Sequence, residues 1–200
     1  MKILIVTGGI GSGKSTVCRI LNGRFGFPHY DSDARVKSLY SEHPSLLSAI
    51  ENALGETFRD ESGTFSPSKL ARRIFSDKDA LSAVEALVFP VLIEDFRTFM
   101  ESASGSIVVF ESATVLEKKQ FEGFGDFIVL VDAPYDVRLS RAMKRDAMQQ
   151  EEIRKRMDNQ VLMNSLSAGC VDKRIDFILD NSSSEEDLNV QIENLMGKLT

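Results

Sequence analysis

The chain has 200 residues, a size that suits one domain with an insertion or one core with a small subdomain. Its content of 42% apolar and 27% charged residues is that of a globular protein, and its net charge of −6 argues against a nucleic-acid partner. Two cysteines exclude a disulfide framework, and no apolar run reaches the roughly eighteen residues of a membrane span. We expect a cytoplasmic protein with no secretion signal and no membrane partner.

The first elements surround a glycine-rich loop. An apolar run over residues 2–7 predicts a buried strand, and residues 15–25 have helical spacing. Between them, Gly8-Gly9-Ile10-Gly11-Ser12-Gly13-Lys14-Ser15 fits the pattern G-x-x-x-x-G-K-[ST] in full. Backbone N–H groups of such a loop bind a polyphosphate, the lysine reaches its β- and γ-phosphates, and the serine hydroxyl binds Mg²⁺. The residues predicted to bind the nucleoside triphosphate are Gly9, Gly11, Ser12, Gly13, Lys14, Ser15 and Thr16.

Two aspartates follow where the second strand is expected to end. Residues 27–30 form a short extended piece, followed by Asp31-Ser32-Asp33. Ligands of an open α/β sheet bind beyond the carboxyl ends of its strands, so a carboxylate here can accept the proton of an attacking hydroxyl or hold Mg²⁺ through water. Capping of the next helix is the alternative. The residues themselves leave open which of the two aspartates caps and which one acts.

Residues 34–103 predict a helical insertion between the second and third strands. Pro44 is expected to divide its first helical stretch in two. Ser66 followed by Pro67 predicts the N-cap and first position of another helix. A long helix is expected from residue 79 to about residue 103, with a kink or break at Pro90.

The rest of the chain alternates strands and helices. Strands are predicted at 106–111, 127–132 and 175–179, and a closing helix at 185–199. This alternation predicts a mostly parallel sheet with helices on both faces. Glu111 ends the first of these strands, where it is either a metal-coordinating carboxylate or a solvated strand end. The two histidines, His29 and His43, show no metal-ligand spacing.

A concentration of basic residues follows the fourth strand. Arg138, Arg141, Lys144 and Arg145 share helical spacing. Arginines that a mobile lid brings over a γ-phosphate stabilise the charge that develops during its transfer. Most of the basic residues are expected to form a solvated helix face. Arg141 and Arg145 lie four residues apart on one face and are predicted to be the active pair.

Several segments in a fixed order are similar to one known family. They are residues 7–16, Asp31-Ser32-Asp33 with Lys37, residues 63–70 with Ile74-Phe75, residues 141–146, Arg156 with Gln160, and Asp180-Asn181. Over nearly its whole length the chain resembles the dephospho-coenzyme A kinases. The resemblance implies transfer of the γ-phosphate of ATP to the ribose 3′-hydroxyl of dephospho-CoA, with Mg²⁺.

The resemblance also implies a fold and an organisation. The expected fold class is α/β, a three-layer parallel-sheet P-loop NTPase core with a helical substrate-binding insertion and a helical lid. The nucleotide-binding core would comprise 1–33, 104–137 and 166–200, the substrate domain 34–103, and the lid 138–165. A monomer or a small homo-oligomer is expected, with dephospho-CoA as the small-molecule partner.

Roles are expected for single residues as well, those of Asp33 and Asn181 from the resemblance and the others from the residue patterns described above. Asp33 would act on the 3′-hydroxyl, together with Lys14 and Arg141 as catalytic residues. Arg145 and Asn181 would bind the nucleotide, Asn181 at its adenine. Ser15 and Glu111 would hold the metal.

The chain also departs from the family pattern, and its motifs bear on other functions. The departures are Phe89 before Pro90, residues 113–117, and Ser183 in the last loop. A shikimate-type kinase shares the glycine loop and the Asp-Ser-Asp, but no triple glycine occurs here. A GTPase would want Asn-Lys-x-Asp, which is absent, and a non-catalytic nucleotide-binding module would leave Asp33 and the arginines without a role.

Overall fold

A computed structural model describes residues 1–146 and 149–199. Residues 147 and 148 of the predicted lid and residue 200 of the predicted core lie outside the described residues. The chain divides into two compact units, Met1–Asp31 with Ala103–Thr200, the core unit, and Ser32–Ser102, the helical unit. No helix in the described part of the chain is long and apolar enough to cross a bilayer.

The core unit contains a five-stranded sheet in the order β2-β3-β1-β4-β5, and every pair of neighbouring strands is parallel. The predicted parallel α/β fold is thus confirmed. The strands are β1 (Lys2–Gly8), β2 (His29–Asp31), β3 (Ile107–Glu111), β4 (Phe127–Asp132) and β5 (Phe177–Asp180). Between β3 and β4 lie two short 3₁₀ turns, Val115–Glu117 and Lys119–Phe121.

Among the residues that the structure describes, five helices belong to the core unit. They are α1 (Lys14–Phe25), α6 (Tyr135–Arg145), α7 (Gln150–Asp158), α8 (Val161–Ser167) and α9 (Glu185–Leu199). On one face of the sheet, Leu4 and Val109 pack in a cluster with apolar side chains of α1 and α9. β3, which lies inside the sheet, is buried on both sides, since all five of its residues are buried. Sheets covered on both faces need such apolar strands.

The register of the strands brings their carboxyl ends to one edge of the sheet. Glu111 pairs with Val6 on one side and with Asp31 on the other. Asp132, at the end of β4, pairs with Asp180. Gly8 ends β1 at the same edge, so the glycine loop begins at the edge where these acidic residues end their strands.

The helical unit contains α2 (Ser32–Glu42), α3 (Pro44–Leu54), α4 (Pro67–Ser76) and α5 (Lys78–Ser102). Pro44 and Pro67 open helices, as predicted. Arg35 joins α2 to α5, because its guanidinium donates two hydrogen bonds to Asp95 at 2.8 and 2.7 Å. The same guanidinium also donates to Glu42 within α2.

Of the kink or break predicted at Pro90, the break is wrong, because α5 runs without interruption through that residue. Buried apolar residues repeat every four positions on one side of α5, at Ala80, Val84, Val88, Leu92 and Phe96. Pro90 itself lies on the exposed side. Burial of the apolar stripe on both sides of the proline offsets its cost of about 3 kcal/mol.

Candidate active site

The glycine loop joins β1 to α1 and forms a backbone concavity. Ser12 donates its N–H to the Gly9 carbonyl at 3.1 Å, and the N–H groups of Thr16 and Val17 bond the Gly13 carbonyl as α1 begins. The Lys14 ammonium donates to the carbonyls of Gly8 and Gly9 at 3.0 and 3.3 Å. A helix N-terminus, turned-in amides and a lysine therefore meet at one place, which is the chemistry of a phosphate site.

Two of the glycines are required by close approach as well as by backbone conformation. Gly11 and Gly13 have φ of +75° and +98°, in the left-handed region. A Cβ on Gly11 would collide with the backbone carbonyl of Arg138, and one on Gly13 with the side-chain amide of Asn181. The loop thus packs directly against α6 and against the segment after β5.

Ser15 and Glu111 form the part of the site that fits a metal ion. The Ser15 hydroxyl donates to Glu111 Oε1 at 2.7 Å, and His29 Nε2 lies 2.9 Å from Glu111 Oε2. Burial alone would raise the pKa of Glu111, but the hydrogen bonds from His29 and Ser15 outweigh it and hold the pKa below its usual value. A buried, ionised carboxylate beside a serine hydroxyl offers the oxygen ligands that Mg²⁺ prefers. Of the two alternatives for Glu111, the solvated strand end is excluded, since its side chain is only 5% exposed.

The two aspartates after β2 fall in different units. Asp31 ends β2 and pairs in register with Glu111, within the core unit. Asp33 lies in the first turn of α2, within the helical unit. The assignment of Asp33 to the acceptor hydroxyl stays a prediction.

Arg138 is a candidate binding residue outside the pair, Arg141 and Arg145, that was predicted to be active. The structure buries it, with 4% exposure, in the second turn of α6. Its Nε donates to the Ala133 carbonyl at 3.0 Å, while Nη1 has no hydrogen-bond partner among the described residues and lies too close to Gly9 to leave room for a Cβ there. Burial lowers the pKa of this guanidinium. A buried guanidinium with an unpaired N–H beside the loop is suited to a phosphate oxygen.

Arg141 and Arg145, predicted as a pair, have different environments. Arg141 donates from Nη1 to the backbone carbonyl of Asn181 at 2.9 Å and is partly buried. Arg145 is 63% exposed and makes a two-pronged hydrogen bond to its neighbour Asp146 at 2.8 and 2.9 Å. Arg141 is bonded to Asn181, which also contacts the glycine loop. Among the described residues, the hydrogen bonds of Arg145 reach only its neighbour Asp146.

Asn181 and Gln160 contact the loop backbone. The Asn181 side-chain amide donates to the Ser12 carbonyl at 2.8 Å, in a buried position. Ile10 donates its N–H to Gln160 Oε1 at 2.9 Å. The contact of Asn181 with adenine, implied by the family resemblance, stays a prediction, and its contact with the loop is a finding of the structure.

These features define the class of the protein. The chain has a parallel sheet, a complete phosphate loop after the first strand, and a serine–carboxylate pair at the end of that loop. Buried and partly buried cationic groups lie around the loop. Together these features describe a P-loop kinase.

Comparison with known proteins identifies the family within that class. The family model for dephospho-CoA kinase matches residues 2–187. A dephospho-CoA kinase of Porphyromonas gingivalis is 36% identical over 170 residues, 85% of this chain and 83% of the relative. The chain therefore belongs to the dephospho-CoA kinase family.

Solved structures agree in fold. A protein from Thermus thermophilus is 30% identical with a TM-score of 0.83, over 100% of this chain and 98% of that one. A shikimate kinase from Acinetobacter baumannii has a TM-score of 0.55 at 16% identity, over 100% and 93% of the two chains. The second likeness shows only a shared fold, and the shikimate-type alternative is not favoured.

Proposed function

We propose that this protein transfers the γ-phosphoryl group of ATP to the ribose 3′-hydroxyl of dephospho-CoA, giving coenzyme A and ADP, the last step of coenzyme A synthesis. The observation that carries the proposal is the match of residues 2–187 to the dephospho-CoA kinase family. The phosphate loop and the Ser15–Glu111 pair lie within that span and supply the chemistry the reaction needs.

The triphosphate would bind in the loop. Its backbone amides and the first turn of α1 favour the anionic oxygens, and Lys14 would move from the carbonyls of Gly8 and Gly9 to the β- and γ-phosphates. The buried Nη1 of Arg138 gives a further donor beside Gly9. These groups hold the phosphates in one orientation, so that the attack on γ-phosphorus is in line.

The donor set fits Mg²⁺ as the metal. Ser15 and Glu111 would hold it, directly or through water, since both offer oxygen and lie 2.7 Å apart. When bound, Mg²⁺ neutralises charge on the β- and γ-phosphates.

The acceptor step would use Asp33. Its carboxylate accepts the proton of the 3′-hydroxyl as that oxygen bonds to γ-phosphorus, and the bond from γ-phosphorus to the bridging oxygen of ADP breaks. Arg141 would stabilise the charge that develops on the transferred group, Arg145 would bind the nucleotide when 138–165 closes as a lid, and Asn181 would contact adenine.

The wider assignments follow from this reaction. Residues 34–103 would bind dephospho-CoA, and 1–33, 104–137 and 166–200 would bind the nucleotide. We propose a cytoplasmic location for the enzyme and a monomer or small homo-oligomer as its assembly.

A coupled ADP-release assay tests the proposal. The purified protein is given ATP and Mg²⁺ with dephospho-CoA, with shikimate, or with no acceptor. We expect ADP release that depends on dephospho-CoA and a product phosphorylated at the 3′ position. Equal ADP release in all three reactions, or release with shikimate alone, would contradict the proposal.

A further inference from the structure

Three potential metal ligands of different chemistry meet behind the phosphate loop. They are the thiol of Cys18 in α1, the imidazole of His29 in β2 and the carboxylate of Glu111 in β3. One ligand atom from each lies within 4.8 Å of the other two. His29 shows no metal-ligand spacing in the sequence, but the pairing of β2 with β3 places it beside Glu111 in the fold.

The spacing is close to that of a zinc site. Zinc bonds of about 2.0–2.3 Å in a tetrahedron place neighbouring ligand atoms roughly 3.3–3.8 Å apart. Cys18, His29 and Glu111 need small side-chain movements to reach that spacing from separations below 4.8 Å. The 2.9 Å contact between His29 Nε2 and Glu111 Oε2 would open by less than about 1 Å to admit the ion.

The donor set selects the metal. Mg²⁺ avoids sulfur and prefers oxygen, whereas thiolate with imidazole favours Zn²⁺. Cys18 is fully buried and Glu111 nearly so, but the His29 side chain is 24% exposed, which gives the ion a route in from solvent. A buried polar cluster with one partly exposed member is suited to hold an ion with three protein ligands and water as the fourth.

We propose that Cys18, His29 and Glu111 form a Zn²⁺ site. Binding releases the thiol proton of Cys18 to solvent and forms zinc bonds to sulfur, to an imidazole nitrogen and to a carboxylate oxygen, without any redox step. The site shares Glu111 with the Ser15 contact. Zn²⁺ therefore competes with Mg²⁺ for that carboxylate. This competition rests on the proposed function, whereas the zinc site itself does not rest on it.

The alternative is that Cys18 is a small buried side chain whose thiol bonds Glu111 and never takes a metal. Cysteine and histidine each occur twice in the chain, so the second residue of each type supplies a matched control. Cys170 and His43 are the second cysteine and the second histidine, and both are exposed. A surface thiol or imidazole that binds Zn²⁺ without a built site would be found at these positions.

The binding test uses the full-length protein freed of metal by a chelator. Zn²⁺ is titrated by calorimetry without nucleotide or acceptor, in wild type, Cys18→Ala, Cys18→Ser, His29→Gln, Cys170→Ala and His43→Gln. We expect one ion per chain, at least tenfold weaker binding in the first three variants, and no change in the last two. Circular dichroism and melting of Cys18→Ser, which keeps the side-chain volume, separate a lost ligand from a lost fold.

Cobalt gives a second readout. Co²⁺ bound to wild type should show the thiolate-to-metal charge-transfer absorption in the near ultraviolet, and Cys18→Ser should lose it. Unchanged Zn²⁺ affinity in Cys18→Ala, or a loss confined to Cys170→Ala, would overturn the site. Because no substrate is present, these results do not depend on whether the protein phosphorylates dephospho-CoA.

The competition with Mg²⁺ is tested in the ADP-release assay at fixed Mg²⁺. Zn²⁺ should slow wild type at concentrations that leave Cys18→Ala active. Zinc bound to ATP affects both proteins alike, so a difference between them reports zinc bound to the protein. Equal inhibition of the two would refute the competition. The zinc site would still stand on the binding data.

Discussion

Replacement of Asn181 by alanine tests whether this side chain holds the phosphate loop in its fold. The change removes the 2.8 Å hydrogen bond from the side-chain amide to the Ser12 carbonyl. Ser12 is fully buried, so water does not readily replace the lost donor. Leaving a buried carbonyl unpaired costs roughly 1–3 kcal/mol. At a central value of about 2 kcal/mol, the melting temperature of a chain of this size should fall by about 4–8 °C.

The assay is thermal unfolding without nucleotide, with Asn164→Ala as the matched control. Asn164 also donates its amide to a backbone carbonyl, that of Asp158 at 2.7 Å, but it is exposed. Water can replace that bond, so the control should change stability by about 0.5 kcal/mol or less. If Asn181→Ala melts like wild type and loses only affinity for ATP, the loop-holding role is refuted and only the adenine contact remains.

Three further predictions concern the proposed chemistry. Asp33→Asn should lower kcat by roughly 10²–10⁴-fold with ATP binding nearly intact, as nucleotide titration would check, and near-normal turnover would remove Asp33 from the mechanism. Arg141→Ala should lower kcat more than it raises KM for ATP, and an effect on KM alone would demote it to ground-state binding. Glu111→Gln should reduce the loss of stability in acid, because the pKa of Glu111 is held below its usual value in the folded protein. Its contribution to stability is therefore present above the unfolded pKa and is lost as pH falls through the lower, folded pKa. Urea unfolding across the acid range measures this, and equal slopes for variant and wild type would contradict it.

Local patterns in the sequence were enough to predict the elements that position the site. The apolar run before Gly8 and the helical spacing after it predicted β1 and α1, and the apolar run ending in Glu111 predicted β3. Such patterns work because burial of a strand on both faces needs continuous apolar residues. The helical character of 34–103 could be predicted from the helical spacing of its apolar residues, which is also a local pattern.

The positions of single side chains around the loop depend on packing that no spacing reveals. Arg138, Arg141 and Arg145 share one helix and similar spacing, yet the first is buried under the loop, the second bonds Asn181, and the third faces solvent. Which of them faces the loop depends on how α6 is rotated about its axis after β4. His29 is likewise brought to Glu111 by the strand order, which the sequence alone did not supply.

The position of β1 in the middle of the sheet has a consequence for how the chain folds. Lys2 pairs with Ile107 and Leu4 pairs with Phe127, so both neighbours of this strand are made long after it during translation. Parallel pairings across such separations form slowly, because loop closure costs entropy before any contact repays it. Meanwhile the apolar segment at 3–6 is unprotected, and a nascent chain that stalls before residue 107 would depend on chaperones to escape aggregation.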